Sequence, residues 1–107
     1  MSLLIHVECL NNTVKRTIID EGVVASVMSL SCWKGLGSPV LSQFSTMLIV
    51  FYGRSFRPQG ILPSLEVQLG GKTVVIEGEV VDTPLHYNIL LGRNWMYSMQ
   101  AVASSLF

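Results

Sequence analysis

The sequence predicts an all-β fold, and three observations carry that expectation. Residues 3–10, LLIHVECL, set Ile5, Val7 and Cys9 on one side and His6 and Glu8 on the other, the period-two pattern of a half-buried strand. Residues 64–82, SLEVQLGGKTVVIEGEVVD, alternate Leu65, Val67 and Leu69 with polar residues up to Gly70-Gly71, and a run rich in branched residues follows, which predicts a hairpin. The other apolar stretches, MLIVFYG and YNILLG, are short, rich in branched and aromatic residues and closed by glycine.

The elements follow in order. Asn11-Asn12 is where the chain turns after the first strand. Asn11-Asn12-Thr13 also matches the pattern for N-glycosylation, but the turn is the better reading at this place. TVKRTIID is a second strand that ends on Asp20, and Gly22 permits a tight backbone turn just after it. SVMS is a short extended piece. LSCWKGLG is one helical turn or an irregular loop, closed by Gly35, Gly37 and Pro39. After the strand MLIVFYG, the polar excursion RSFRPQG reads as a mobile hairpin tip. YNILLG is another strand, RNWMYSM one short helix, and AVASSLF a closing strand. No fixed-period repeat or low-complexity linker interrupts the chain, so residues 1–107 are expected to form a single domain.

Composition narrows the function classes. Only 13% of residues are charged while 50% are hydrophobic, more apolar material than a small globule needs, which points to a buried subunit interface. Seven basic residues balance seven acidic ones, so neither a nucleic acid nor a membrane surface is an expected partner. The apolar run Met47–Tyr52 is far shorter than the ~20 residues of a membrane span, and the first residues lack the basic start and apolar stretch of a signal peptide. Cys9 and Cys32 fit no zinc-ligand spacing and are read as reduced, buried thiols of a cytoplasmic (intracellular) protein. No metal and no cofactor are expected. His6 and His86 read as exposed strand or turn residues, and Trp33 and Trp95 as core or interface anchors.

Three stretches, in this order and spacing, resemble the retropepsin family of aspartic proteases, most closely the protease domains of plant gypsy-type LTR retrotransposon polyproteins. TIIDEG at 17–22, followed by SVMS, is similar to the family's apolar-apolar-Asp-Ser/Thr-Gly motif. GGKTVVIEGEVVD is similar to its hairpin. ILLGRNW at 89–95 is similar to its apolar-apolar-Gly-Arg/Met-Asn/Asp-aromatic/Leu signature. The resemblance implies half of an acid-protease architecture, a closed β-barrel with one short helix near the C-terminus, which works as a homodimer on a polypeptide substrate. It implies Asp20 as the catalytic carboxylate and Glu21, Gly22 and Val23 as the rest of the active-site loop. Val27, Ile89 and Leu90 would line the substrate pockets or the wall behind that loop. Phe51, Tyr52 and Gly53 would belong to the flap that closes over substrate, with Phe56 nearby. Gly92 and Arg93 take structural roles. By the same resemblance, LLIHVECL and AVASSLF would be terminal strands that interleave between subunits.

The chemistry stands apart from the name. Peptide hydrolysis without a metal or covalent intermediate runs on two carboxylates that share a proton, one drawing a proton from water and one donating to the carbonyl oxygen. The chain has one Asp-x-Gly at a strand end, while Asp82, in VVDTP, reads as a turn residue. A second Asp20 must therefore come from another copy across a two-fold axis. Glu21 stands where the family has a Ser or Thr hydroxyl that bonds across that axis, and an ionised carboxylate cannot donate that bond. Val23 replaces the usual Ala, and Val24 leaves no acid for Arg93. Three functions follow as alternatives: an aspartic endopeptidase that processes a retroelement polyprotein, a catalytically inactive retropepsin-like dimerisation module, or a monomeric ligand-binding β-barrel.

Overall fold

In the computed structural model, which describes residues 3–42, 49–51, 54–82 and 87–104, the chain begins with a hairpin of β1 (Leu3–Cys9) and β2 (Asn12–Ile19). Leu10 and Asn11 make the turn at φ 50° and 63°. It lies one residue earlier than Asn11-Asn12, because Cys9 opposite Asn12 brings Val7 opposite Val14 and sends both into the core. The alternation of β1 is as the sequence predicts: Val7 and Cys9 are buried, His6 and Glu8 exposed.

β3 (Ser26–Ser29) is buried along its whole length. Ser29 caps α1 (Leu30–Gly35), its hydroxyl accepting from the Cys32 amide at 3.1 Å, so the ambiguous LSCWKG segment is a short helix. Its end is fixed by Gly37 at φ 94° and by the Trp33 indole, which donates to the Pro39 carbonyl at 2.9 Å.

β4 (Ile49–Phe51) and β5 (Arg54–Phe56) form a separate antiparallel pair with Phe51 opposite Arg54. Tyr52 and Gly53, the expected flap residues, lie outside the described residues, as does His86.

β6 (Gly60–Leu69) and β7 (Lys72–Val81) are the long hairpin, joined by Gly70 and Gly71 at φ 60° and 77°, a turn that glycine enters without a Cβ penalty. Pro63 cannot donate to the ladder, and the register shifts between Leu62 and Leu65. β8 (Ile89–Leu91) and α2 (Arg93–Ser104) complete the chain.

Six strands close a barrel in the order β1-β2-β8-β3-β7-β6. β8 runs parallel to β2 and antiparallel to β3, and so lies between two strands that are consecutive in sequence. The connection from β2 to β3 must cross the C-terminal end of β8. Side chains then sort by parity. Met28, Val74, Ile76, Val80, Ile89, Leu91 and Trp95 join the main core, while Val27, Val81, Tyr87 and Leu90 form a second cluster with Ile18 and Val23 against it.

Of the two terminal segments expected as strands, the second is helical over residues 101–104, and its residues 105–107 lie outside the described residues. LLIHVECL is β1 of the chain's own barrel, paired with β2 and, through Glu8 and Gln68, with β6. Ala101–Ser104 continues α2 instead of forming a strand. Met96, Met99 and Val102 recur at helical spacing and pack on the main core, which extends the helix past RNWMYSM.

Candidate active site

Asp20 is the first residue beyond β2, and its amide donates to the Leu91 carbonyl at 3.0 Å, prolonging the pairing with β8 by one rung. Its carboxylate is half-buried, and Oδ1 accepts from the Gly22 amide at 2.9 Å, an Asx turn that fixes the side chain at the mouth of the loop. A Cβ on Gly22 would come within 3.2 Å of that oxygen. A side chain here would therefore push that carboxylate oxygen by a few tenths of an ångström.

The crossing loop is held from below by the start of α2. Arg93 and Asn94 donate their amides to the Val23 and Val24 carbonyls at 2.7 and 3.0 Å, so donors that a helix N-terminus leaves without intrahelical partners fix the loop. The Gly92 amide donates to Ser26 Oγ at 3.1 Å, and Ser26 Oγ donates to Asn94 Oδ1 at 2.6 Å. Asn94 Nδ2 reaches on to the Glu77 carbonyl of β7 at 3.1 Å. Gly92 lies so near the loop that an added Cβ would sit 2.4 Å from the Ala25 carbonyl oxygen and 2.6 Å from that of Val23.

Of the expected site residues, the structure brings Asp20, Gly22, Val23, Val27 and Leu90 to one side of the barrel. Val27 and Leu90 pack in the second cluster with Val23 against it, and Asp20 follows Ile18 by two residues and so emerges on the same side. Ile89 faces the main core, where parity sends it. Glu21 is exposed, as is Val24 at 62%. Phe51 ends β4, on the separate hairpin. Arg93 is half-buried and its Nε has no hydrogen-bond partner among the described residues, in keeping with Val24 offering no acid. Sequence reasoning missed Ser26 and Asn94, the pair that ties the loop to the helix. It also missed Tyr87 and Val81, whose place depends on how β8 is inserted.

A pocket of about 360 Å³ opens elsewhere, between β2 and α1, lined by Asn12, Thr13, Val14, Lys15, Ser31, Cys32, Gly35, Leu36 and Asn88. It holds no carboxylate, so the chemistry of the Asp20 loop outweighs its size in placing the site. Among the described residues, no group of three or more His, Cys, Asp or Glu side chains is arranged to hold a metal ion.

No family model and no curated protein sequence matches the chain. Solved structures do. The retroviral protease-like domain of Ddi1 from Leishmania major superposes with a TM-score of 0.71 at 17% identity, over 94% of this chain and 78% of that one. The EIAV protease complexed with the inhibitor HBY-793 superposes with a TM-score of 0.72 at 15% identity, over 94% of this chain and 89% of that one. With a six-stranded closed barrel, β8 inserted between β2 and β3 and a helix after it, the chain has the retropepsin-like fold of retroviral protease-like domains.

Proposed function

We propose that the chain is one subunit of a homodimeric aspartic endopeptidase that hydrolyses peptide bonds of a retroelement polyprotein, of the plant gypsy-type LTR class that the sequence motifs resemble. The observation that carries this is the placement of Asp20: a half-buried carboxylate, fixed by the Gly22 amide, at a loop crossing over β8 and beside an apolar wall. One chain offers one such carboxylate. Two copies facing each other across a two-fold axis supply the pair, in which one carboxyl donates to the substrate carbonyl while the other draws a proton from water. The β4–β5 hairpin is the candidate flap.

The second reading, a catalytically silent dimerisation module, draws on Glu21. Its exposed carboxylate stands next to Asp20 in place of a hydroxyl, adding like charge where two loops would meet. Cleavage of casein at acid pH, with and without pepstatin, separates the two. The wild-type chain should cleave in a pepstatin-sensitive way, and Asp20→Asn should lose about a thousandfold in rate while sedimenting as the same dimer. A dimer whose wild-type and Asp20→Asn forms are equally inert would establish the silent module.

A further inference from the structure

The carboxylate pair needs a second copy of the chain, and the Asp20 loop offers little surface to hold one. A stable protein interface engages about 20–30 residues on each side, and the loop 20–24 supplies only a handful. The rest of the contact has to come from an element that flanks the loop. Residues 101–104, expected as part of a strand between subunits, are helical and do not extend a sheet there.

The flanking element is α2. Its first residues hold the loop, through the Arg93 and Asn94 amides on the Val23 and Val24 carbonyls at 2.7 and 3.0 Å. Val24 is 62% exposed, and so is Tyr97. Tyr97 follows Arg93 by four residues, so it stands on the same face one turn along, and a helical side chain leans back over the turn before it. The tyrosine therefore leans toward the end of α2 that holds the loop. The same outer side continues through Gln100 and Ala101, both exposed. A helix that faces water ordinarily carries charge opposite its apolar stripe. Here Met96, Met99 and Val102 pack on the main core, yet residues 94–104, NWMYSMQAVAS, include no charged residue on any side. Loss of charge and gain of tyrosine are the compositional marks of an interface centre.

We propose that the exposed face of α2, with Tyr97 and Ala101 at its centre and Val24 at its edge, is the surface on which a second copy of this chain packs, an inference that rests on the dimer proposed above. The occupant is a second copy because the face is continuous with a loop whose chemistry is incomplete without another Asp20. An axis that brings two such loops together also brings together the helix ends hydrogen-bonded to them. In a two-fold contact the same patch meets itself, so a face without charge meets its equal with no like-charge repulsion. Tyr97 supplies a large rigid contact area, and Ala101 leaves room for the helices to approach.

The test is sedimentation of the full chain and of variants, with casein cleavage followed at the same protein concentrations. Tyr97→Glu and Ala101→Glu set like charges against each other across the contact and should each raise the dimer Kd about tenfold or more. Both positions are exposed, so far-UV circular dichroism should be unchanged. Tyr97→Ala, which adds no charge, should shift the Kd the same way by less. Leu10→Glu, at the β1–β2 turn and so at the far end of β2 from Asp20, should leave the Kd as it is. Cleavage by the glutamate variants should fall with the dimer and return at higher protein concentration. A wild-type dimer whose Kd stays within about twofold in all three α2 variants would overturn the α2 face and leave the Asp20 dimer standing. Dimer loss in the α2 variants of a chain that never cleaves would support the face and refute the peptidase chemistry. A wild-type chain that stays monomeric would overturn both together.

Discussion

Ser26 and Asn94, 68 residues apart, meet through a 2.6 Å hydrogen bond that joins β3 to the first turn of α2. The Ser26 hydroxyl also accepts from the Gly92 amide, and Asn94 Oδ1 also accepts from the Trp95 amide at 2.8 Å. The Asp20 loop is thereby hung between two elements that its own sequence does not contain. Ser26→Ala should cost about 1–3 kcal/mol, because it leaves a buried amide without an acceptor. Asn94→Ala should cost a similar amount, and Asn94→Asp at least as much, since the aspartate keeps the acceptor for Ser26 but sets a carboxylate oxygen against the Glu77 carbonyl that Nδ2 donates to. Urea denaturation of the three variants orders them; an unchanged midpoint for Ser26→Ala would show that the network does not support the loop.

Gly92 is fixed by a close approach of backbone to backbone. Gly92→Ala would put a Cβ 2.4 Å from the Ala25 carbonyl oxygen, a distance that no rotamer change relieves because both neighbours are main chain. The variant should lose more than about 3 kcal/mol or fail to fold. Gly35→Ala supplies the contrast: its Cβ would meet none of the described residues within 4 Å, and the helical position favours alanine, so stability should be unchanged or raised by up to about 1 kcal/mol. Thermal unfolding of the pair checks both directions.

The hairpins were legible in the sequence because alternation and turn chemistry are local. The Gly70-Gly71 turn stands where the pattern places it, and the first turn moved by one residue only because Val7 and Val14 had to face the core together. Asp20 at a strand end was legible for the same reason. Ile89 and Leu90 read alike as apolar residues, yet they go to opposite sides, a sorting fixed by the insertion of β8 between β2 and β3. AVASSLF has strand character taken alone, but the stripe of Met96, Met99 and Val102 carries the helix through Ser104. Links such as Ser26 to Asn94 exist only once the barrel has closed.

Glu21 is exposed beside Asp20, so in the proposed dimer its two copies add repulsion near the axis that a hydroxyl would not. Glu21→Thr should tighten the dimer severalfold at low ionic strength. The gain should shrink at about 1 M salt, where the screening length falls to about 3 Å. Sedimentation of both proteins at the two salt concentrations measures this. An effect of the same size at both would show that Glu21 acts through something other than charge across the axis.

Cys9 and Cys32 give the chain an alkaline limit. Both thiols lie in the main core, and burial pushes Cys9 up to about 12, with Cys32 adding to the rise, and Cys32 up to about 11. A group whose pKa is raised on folding contributes stability that is fully present below its unfolded value, here 9.0 for each thiol, and lost as pH rises through the folded value. The thiols therefore impose no pH dependence near neutrality and a falling Tm above pH 9.0, as the unfolded chain gives up protons that the core retains. Lysine and tyrosine titrate in the same range, so the comparison is with Cys9→Ala/Cys32→Ala. That variant should start from a lower Tm at neutral pH, because it leaves cavities in the core, and should fall less steeply in alkali. Iodoacetamide at about pH 8 should label neither thiol in the folded protein and both in urea, since the reactive species is the thiolate. Rapid labelling of the folded chain, or parallel alkaline slopes for the two proteins, would show that the thiols are not held in the core as the structure places them.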